Sequence, residues 1–427
     1  MPDSRPRRPD DNAPDSADAA TTDPAPALVL SGARLADGRA VDVRLSGSRI
    51  EAVGTAGSLT SRGPRIDLRG YLLLPAPAEP HAHGDTALTA DANGPGPASH
   101  RSEDIQRRAT EAALLQLGHG ATALRAHVRI GDVQGLAALE AVLQARRALR
   151  GLADLTAVAV PRLLTGVAGA EGLALLRDAV KMGAAVVGGC PDLDPDPTGY
   201  TAAVLEVAAE HGCPVDLHTD GDDPARLARL AAMAGGLRPG VALGPCAGLA
   251  HLPLETAGRA ADQLAAAGIT VVCLPQGGCT GSERRTTAPV RLLRSAGVRM
   301  AAGSGALRDT ANPVGRGDPL EAAYLLASQH GLRPEHAYAM VSTTARAALG
   351  LPDVRVEAGF PAELLAVRGE RLSAALSLAY SRIVIHRGRV VARTSAVREY
   401  CDSEPDPAAG PDLPRQGRPD SGGGPGN

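Results

Sequence analysis

Eight short apolar runs alternate with helical segments rich in Ala, Leu and Arg through the middle of this chain, and that rhythm is the strongest constraint on its fold. The runs are 72–83, 121–128, 155–161, 184–190, 214–220, 240–246, 270–275 and 298–305. The segments between them, 103–117, 134–149, 170–182, 200–211, 224–233, 254–267 and 287–296, carry apolar residues at helical spacing. Eight strands separated by helices in this order predict an α/β fold of the (β/α)8 TIM barrel type. A doubly wound open sheet is the competing architecture. It is disfavoured because no G-x-G-x-x-G follows an early strand.

The ends of the chain have a different pattern. Residues 27–70 alternate apolar and polar in short stretches such as Val41-Asp42-Val43-Arg44-Leu45, and the pattern returns in 352–397, as in Arg382-Ile383-Val384-Ile385. The two stretches are expected to pair into one small β-sandwich-like domain formed from both chain ends, with residues 71–351 forming the barrel. Residues 1–26 and 398–427 are rich in Pro, Asp, Gly and Ser and are expected to be disordered tails.

Composition excludes several function classes. A formal net charge of -3, no Trp and a single Phe (Phe360) argue against nucleic acid as a partner. Cys190, Cys213, Cys246, Cys273, Cys279 and Cys401 contain no C-x-x-C pair, so reduced thiols are expected rather than a disulfide framework. No apolar stretch follows the early arginines and none reaches membrane-spanning length. The expectation is a cytoplasmic protein with no membrane partner, for which a homo-oligomer is compatible.

In a barrel of this type the chemistry sits at the C-terminal ends of the strands. The first run ends in His81-Ala82-His83. Two histidines at i and i+2 on a strand point the same way and offer two imidazole ligands to a borderline metal such as zinc. The fifth run ends in His218, a third imidazole at the same level. The second run presents Arg125, His127 and Arg129 at alternate positions, and the third ends in Arg162. We expect His127, Arg129 and Arg162 to contact substrate, with His127 a neighbour of the metal site rather than a ligand. Arg162 has a competing role as a buried ion pair with Asp220. Asp85 and Asp309 suit loop positioning as well as substrate contact. His100, His119, His211, His330, His336 and His386 are expected at the surface.

Several segments together resemble the amidohydrolase superfamily, in particular its cytosine deaminase branch. They are Glu79-Pro80-His81-Ala82-His83, Thr122 through His127, Gly183 through Gly189, Asp216-Leu217-His218-Thr219-Asp220, Arg308-Asp309 through Asn312-Pro313, and Gly359 through Leu364. The resemblance implies one divalent metal, zinc or iron, held by His81, His83 and His218. It also implies hydrolysis of a C–N bond in a heterocycle or amide. The same resemblance exposes departures. Gly305 stands where the family places its fourth ligand, an Asp. Gly221 replaces the Glu that shuttles protons, and Pro245 replaces the His that orients the attacking water. Arg129 and Arg162 replace a carboxylate and a Gln, so the mouth gains positive charge and suits an anionic small-molecule ligand. The expected function is therefore a metal-dependent hydrolase with a degraded site. The alternative is a catalytically inactive pseudoenzyme barrel that binds a small anion or a protein partner.

Overall fold

The computed structural model describes residues 27–396 except 61, 91–98, 132–133, 279–285 and 379–380. The tails 1–26 and 398–427 lie outside the described residues, as do Cys279 and Cys401. All elements below belong to the unit spanning Met1–Thr394.

The chain opens with five strands, β1 (Leu28–Arg34), β2 (Ala40–Ser46), β3 (Arg49–Thr55), β4 (Arg65–Asp67) and β5 (Tyr71–Pro75). Eight parallel strands follow: β6 (Ala78–Ala82), β7 (Ala123–Ile130), β8 (Asp154–Pro161), β9 (Val186–Gly189), β10 (Val215–Thr219), β11 (Val241–Pro245), β12 (Thr270–Cys273) and β13 (Arg299–Ala302). The helices α1 (Ser102–Gly118), α2 (Ala137–Ala148), α3 (Gly166–Met182), α4 (Pro197–His211), α5 (Pro224–Ala234), α6 (Leu254–Ala266) and α7 (Val290–Ser295) separate them. After α8 (Pro319–His330), α9 (Pro334–Val341) and α10 (Thr343–Ala348) come β14 (Leu364–Arg368), α11 (Leu372–Leu378), β15 (Arg382–His386) and β16 (Arg389–Thr394).

Strands β6 to β13 pair in sequential order. A bridge between Ala82 and Gly305 joins the last strand to the first, and the Gly305 amide donates to the His81 carbonyl at 3.1 Å. The fold is thus the (β/α)8 barrel. The second sheet runs β16-β15-β14-β5-β1-β2-β3, with β4 paired to β1, so both chain ends contribute to it.

The first apolar run is two strands, not one. Tyr71–Pro75 joins the second sheet beside β14, and only Ala78–Ala82 enters the barrel. Pro75 and Pro77 flank the switch, where proline cannot continue a ladder. No described helix is long and apolar enough to cross a membrane.

Alternation within the strands separates the core from the lumen. Leu124, Ala126, Val128 and Ile130 of β7 join the cluster that packs strands against helices. Their neighbour Ala123 belongs to a different cluster with Ala78, Ala242, Val272 and Ala301, capped by Ala345. That second set is the floor of the lumen. Arg125, His127 and Arg129 follow Ala123 at every second position, so they climb the lumen wall towards the mouth.

An ion pair ties the second sheet to the cap of α8. Arg382 on β15 grips Asp318 with two hydrogen bonds of 2.8 and 2.6 Å, and Asp318 also caps α8 through Leu320 N–H. Burial raises the Asp318 carboxyl, but Arg382 outweighs it and holds the group below its ordinary value. A depressed carboxylate stabilises the fold above its unfolded pKa of about 3.9 and loses that contribution as pH falls through the lower folded value. We expect Asp318→Asn to lower stability at pH 7 and to flatten the acid limb below about pH 4, measured by urea unfolding across pH. A contact within the second sheet corrects an expectation. His386 is not at the surface: it is 1% exposed, and its Nδ1 lies 2.9 Å from Glu363 Oε2. It closes β15 just before the Arg387-Gly388 turn, and the paired strand β14 follows directly from Glu363.

Candidate metal centre in the barrel lumen

Strand β6 carries a bulge between Glu79 and Ala82 where it pairs with β7. The bulge turns Ala82 to the helix side opposite Ala126, leaving His81 and His83 facing the lumen. Strand β10 supplies Asp216 and His218 at alternate positions on the same inner face.

Four imidazoles converge there. The ring centres of His81, His83 and His218 are 4.5 to 5.3 Å apart. His127 stands 4.2 Å from His81, 4.5 Å from His218 and 5.7 Å from His83. One donor atom each of His81, His83 and His218 lie within 4.8 Å of one another, and the same holds for His81, His127 and Asp216. His127 therefore belongs inside the cluster and not beside it. Its spacing along β7 was the available signal, since it shares parity with the inward Arg125.

Burial sets the charge state. It depresses His83 to about 4 and His218 to about 3 despite the nearby carboxylates, and holds His81 and His127 well below the usual range, with Arg125 adding to the effect on these two. All four rings are neutral near pH 7 and keep a lone pair for a metal. His83 Nε2 and both nitrogens of His218 are buried without a hydrogen-bond partner. Buried polar atoms left so are costly, and a divalent ion would satisfy them. The donor set fits a borderline metal ion such as zinc.

Beneath the rings, Arg125 Nη1 donates to Asp216 Oδ2 at 2.8 Å, with the two side chains 2% and 0% exposed. Arg125 is thus part of the lumen wall rather than of a cationic mouth. Behind the rings, Glu79 accepts from His81 N–H at 2.9 Å, Ser304 N–H at 2.9 Å and the Ser304 hydroxyl at 2.5 Å. Burial pushes the Glu79 carboxyl up to about 7 against these bonds. Glu79 and Asp216 were legible only as parts of longer motifs. The signal for both is the same: each stands two residues before a histidine of the cluster.

The predicted substrate residues separate. Arg129 has a 71% exposed side chain near the mouth, its Nε 3.5 Å from Asp85 Oδ2. Arg162 follows the last residue of β8 and is exposed, which does not fit a buried ion pair with Asp220. Asp309 is spent on its own loop, accepting from Thr86 Oγ1 and from the Ala311 and Asn312 amides.

Gly305 and Gly221 have φ of +70° and +72°. A side chain at Gly305 would bring its Cβ to 3.0 Å from the Gly277 carbonyl. The backbone at both positions thus suits glycine and resists the carboxylates that the resemblance leads one to expect. Pro245 ends β11, paired with Thr219, and offers no polar side-chain atom.

Known proteins agree with this architecture. The chain is 27% identical over 387 residues to a pterin deaminase of Rhizobium rhizogenes, covering 83% of this chain and 88% of that protein. It is 24% identical over 407 residues to N-isopropylammelide isopropyl amidohydrolase of a Pseudomonas strain, covering 87% and 98%. A 5-methylcytosine deaminase from Klebsiella pneumoniae, crystallised with 5-fluorocytosine, superposes with a TM-score of 0.76 at 25% identity, covering 88% and 99%. Residues 85–392 match the amidohydrolase family, a hydrolase group acting on C–N bonds, and the chain belongs to it.

Proposed function

We propose that this protein is a metal-dependent hydrolase that cleaves a C–N bond of a nitrogen heterocycle or related amide. The observation that carries the reading is the convergence of His81, His83 and His218 as neutral, mutually close donors, with His83 and His218 leaving buried nitrogens unsatisfied. When bound there, a divalent ion would supply Lewis-acid activation of water and of the substrate. The substrate class is supported by the relatives, whose names specify a pterin, an ammelide and a methylcytosine.

The chain's own residues define how this site would differ from those enzymes. His81, His83 and His218 would bind the ion. Arg129 and Arg162, exposed beside adjacent strand ends, would hold an anionic group on the substrate. Gly221, Pro245 and Gly305 hold no proton. Loss of one general acid or base costs about 10²–10⁴ in rate, so turnover should be slow unless the substrate has a good leaving group.

A second reading, a barrel that binds a small anion without turning it over, is favoured by those same three positions. Assays with pterin, aminotriazine and cytosine substrates, with and without carboxylate groups, separate the two. The expected result is slow ammonia or amine release that is abolished in His83→Ala. Saturable binding with no product after prolonged incubation would overturn hydrolysis and favour the second reading.

A further inference from the structure

We propose that His127, Asp216 and the shared His81 form a second cation seat, one layer deeper in the lumen than the His81/His83/His218 site. The inference rests on the reading that the cluster binds a divalent ion, and it concerns where that ion resides.

Three observations carry it. The donor atoms of the three residues lie within 4.8 Å of one another, and all three residues are buried. His127 Nε2 and Asp216 Oδ1 are 3.3 Å apart, yet neither atom makes a hydrogen bond. Zinc binds such atoms at about 2.0–2.2 Å, so two ligands of a tetrahedral ion stand about 3.4 Å apart. The separation and the failed hydrogen-bond geometry both suit two lone pairs turned on one point.

Arg125 explains why the carboxylate keeps one oxygen for this role. Its guanidinium holds Asp216 Oδ2 at 2.8 Å and fixes the carboxylate, leaving Oδ1 towards His127 and His81. The deeper seat has the carboxylate that the upper donor set lacks, since Gly305 supplies none. Two dications beside Arg125 would outweigh the Asp216 and Glu79 carboxyls together and leave the dry lumen strongly positive. The two seats are therefore alternatives for one ion, with His81 common to both. The ion class is a borderline divalent metal such as zinc or cobalt, which imidazole and carboxylate both accept.

The test uses the full chain stripped of metal and titrated with Co(II), followed by elemental analysis and visible absorption. His218→Gln and His127→Gln should each keep about one ion per chain with an altered spectrum, while the double variant loses it. Anomalous diffraction from zinc-soaked crystals of the unmodified chain locates the ion independently of any variant, and density shared between the upper site and a point between His127 and Asp216 is expected. The seat is overturned if His127→Gln leaves both spectrum and affinity unchanged while His218→Gln alone abolishes binding; that outcome leaves the metal-dependent reading intact. An unmodified chain that takes up neither cobalt nor zinc overturns both.

Discussion

Replacing Arg125 with Ala should destabilise the fold by about 3–5 kcal/mol, the range for breaking a buried ion pair from one side. Arg125 and Asp216 are among the most deeply buried charged groups of the described residues, and their 2.8 Å contact joins strands 91 residues apart in sequence. Removing the guanidinium strands a carboxylate at 0% exposure. Burial alone already pushes that carboxyl upward, with Arg125 the main opposing influence. Replacing both partners, Arg125→Met with Asp216→Leu, should cost less than either single change, because no buried charge is left unpaired. Urea unfolding of the unmodified chain, Arg125→Met, Asp216→Leu and the double variant forms a double-mutant cycle. A single-variant loss below about 1 kcal/mol would match an exposed pair and contradict the lumen placement.

The second large effect concerns His81. It is the one residue common to both donor sets, so its removal strikes every seat the cluster can offer. Changing even an outer-shell partner of a metal costs about 10–100-fold in affinity, and loss of a direct ligand should exceed that. We expect His81→Ala to lower Co(II) or zinc affinity more than about 100-fold. His386→Ala provides the matched control. That histidine is equally buried but pairs with Glu363 far from the cluster, so its loss should reduce stability and leave metal affinity unchanged. If the two variants lose metal equally, the effect reports folding and not ligation.

Much of this is legible in the sequence. Alternation in 123–130 and the helical spacing between runs are local properties, and they define the barrel through sequence periodicity alone. His81, His83 and His218 were legible because strand ends in such a barrel converge whatever the loops do. For His127 only its inward parity with Arg125 is legible. Its partner Asp216 lies on a strand that is remote in sequence, so the meeting with a carboxylate is not. The split of 71–83 into two strands was hidden for a different reason. Residues 72–82 are buried apart from Pro75, and Glu79 and His81 read as strand-end chemistry, so only the prolines at 75 and 77 mark the switch. The burial of His386 is not legible locally, because a residue beside a turn is ordinarily exposed; it follows from pairing of β15 with β14, a tertiary contact.

The three non-polar positions around the rings bear on how far family chemistry extends to this chain. Gly305 and Gly221 occupy left-handed backbone, so restoring a carboxylate at either would add strain of about 1–3 kcal/mol. The local backbone is adapted to their absence. Catalysis, if it follows the proposal, must then rest on the ion and on substrate chemistry.

Elemental analysis of the purified, unmodified chain tests the central claim most directly. The account predicts about one zinc or iron per chain, removed by chelation and regained on adding metal back. A well-folded chain that contains no metal and takes none up would contradict it.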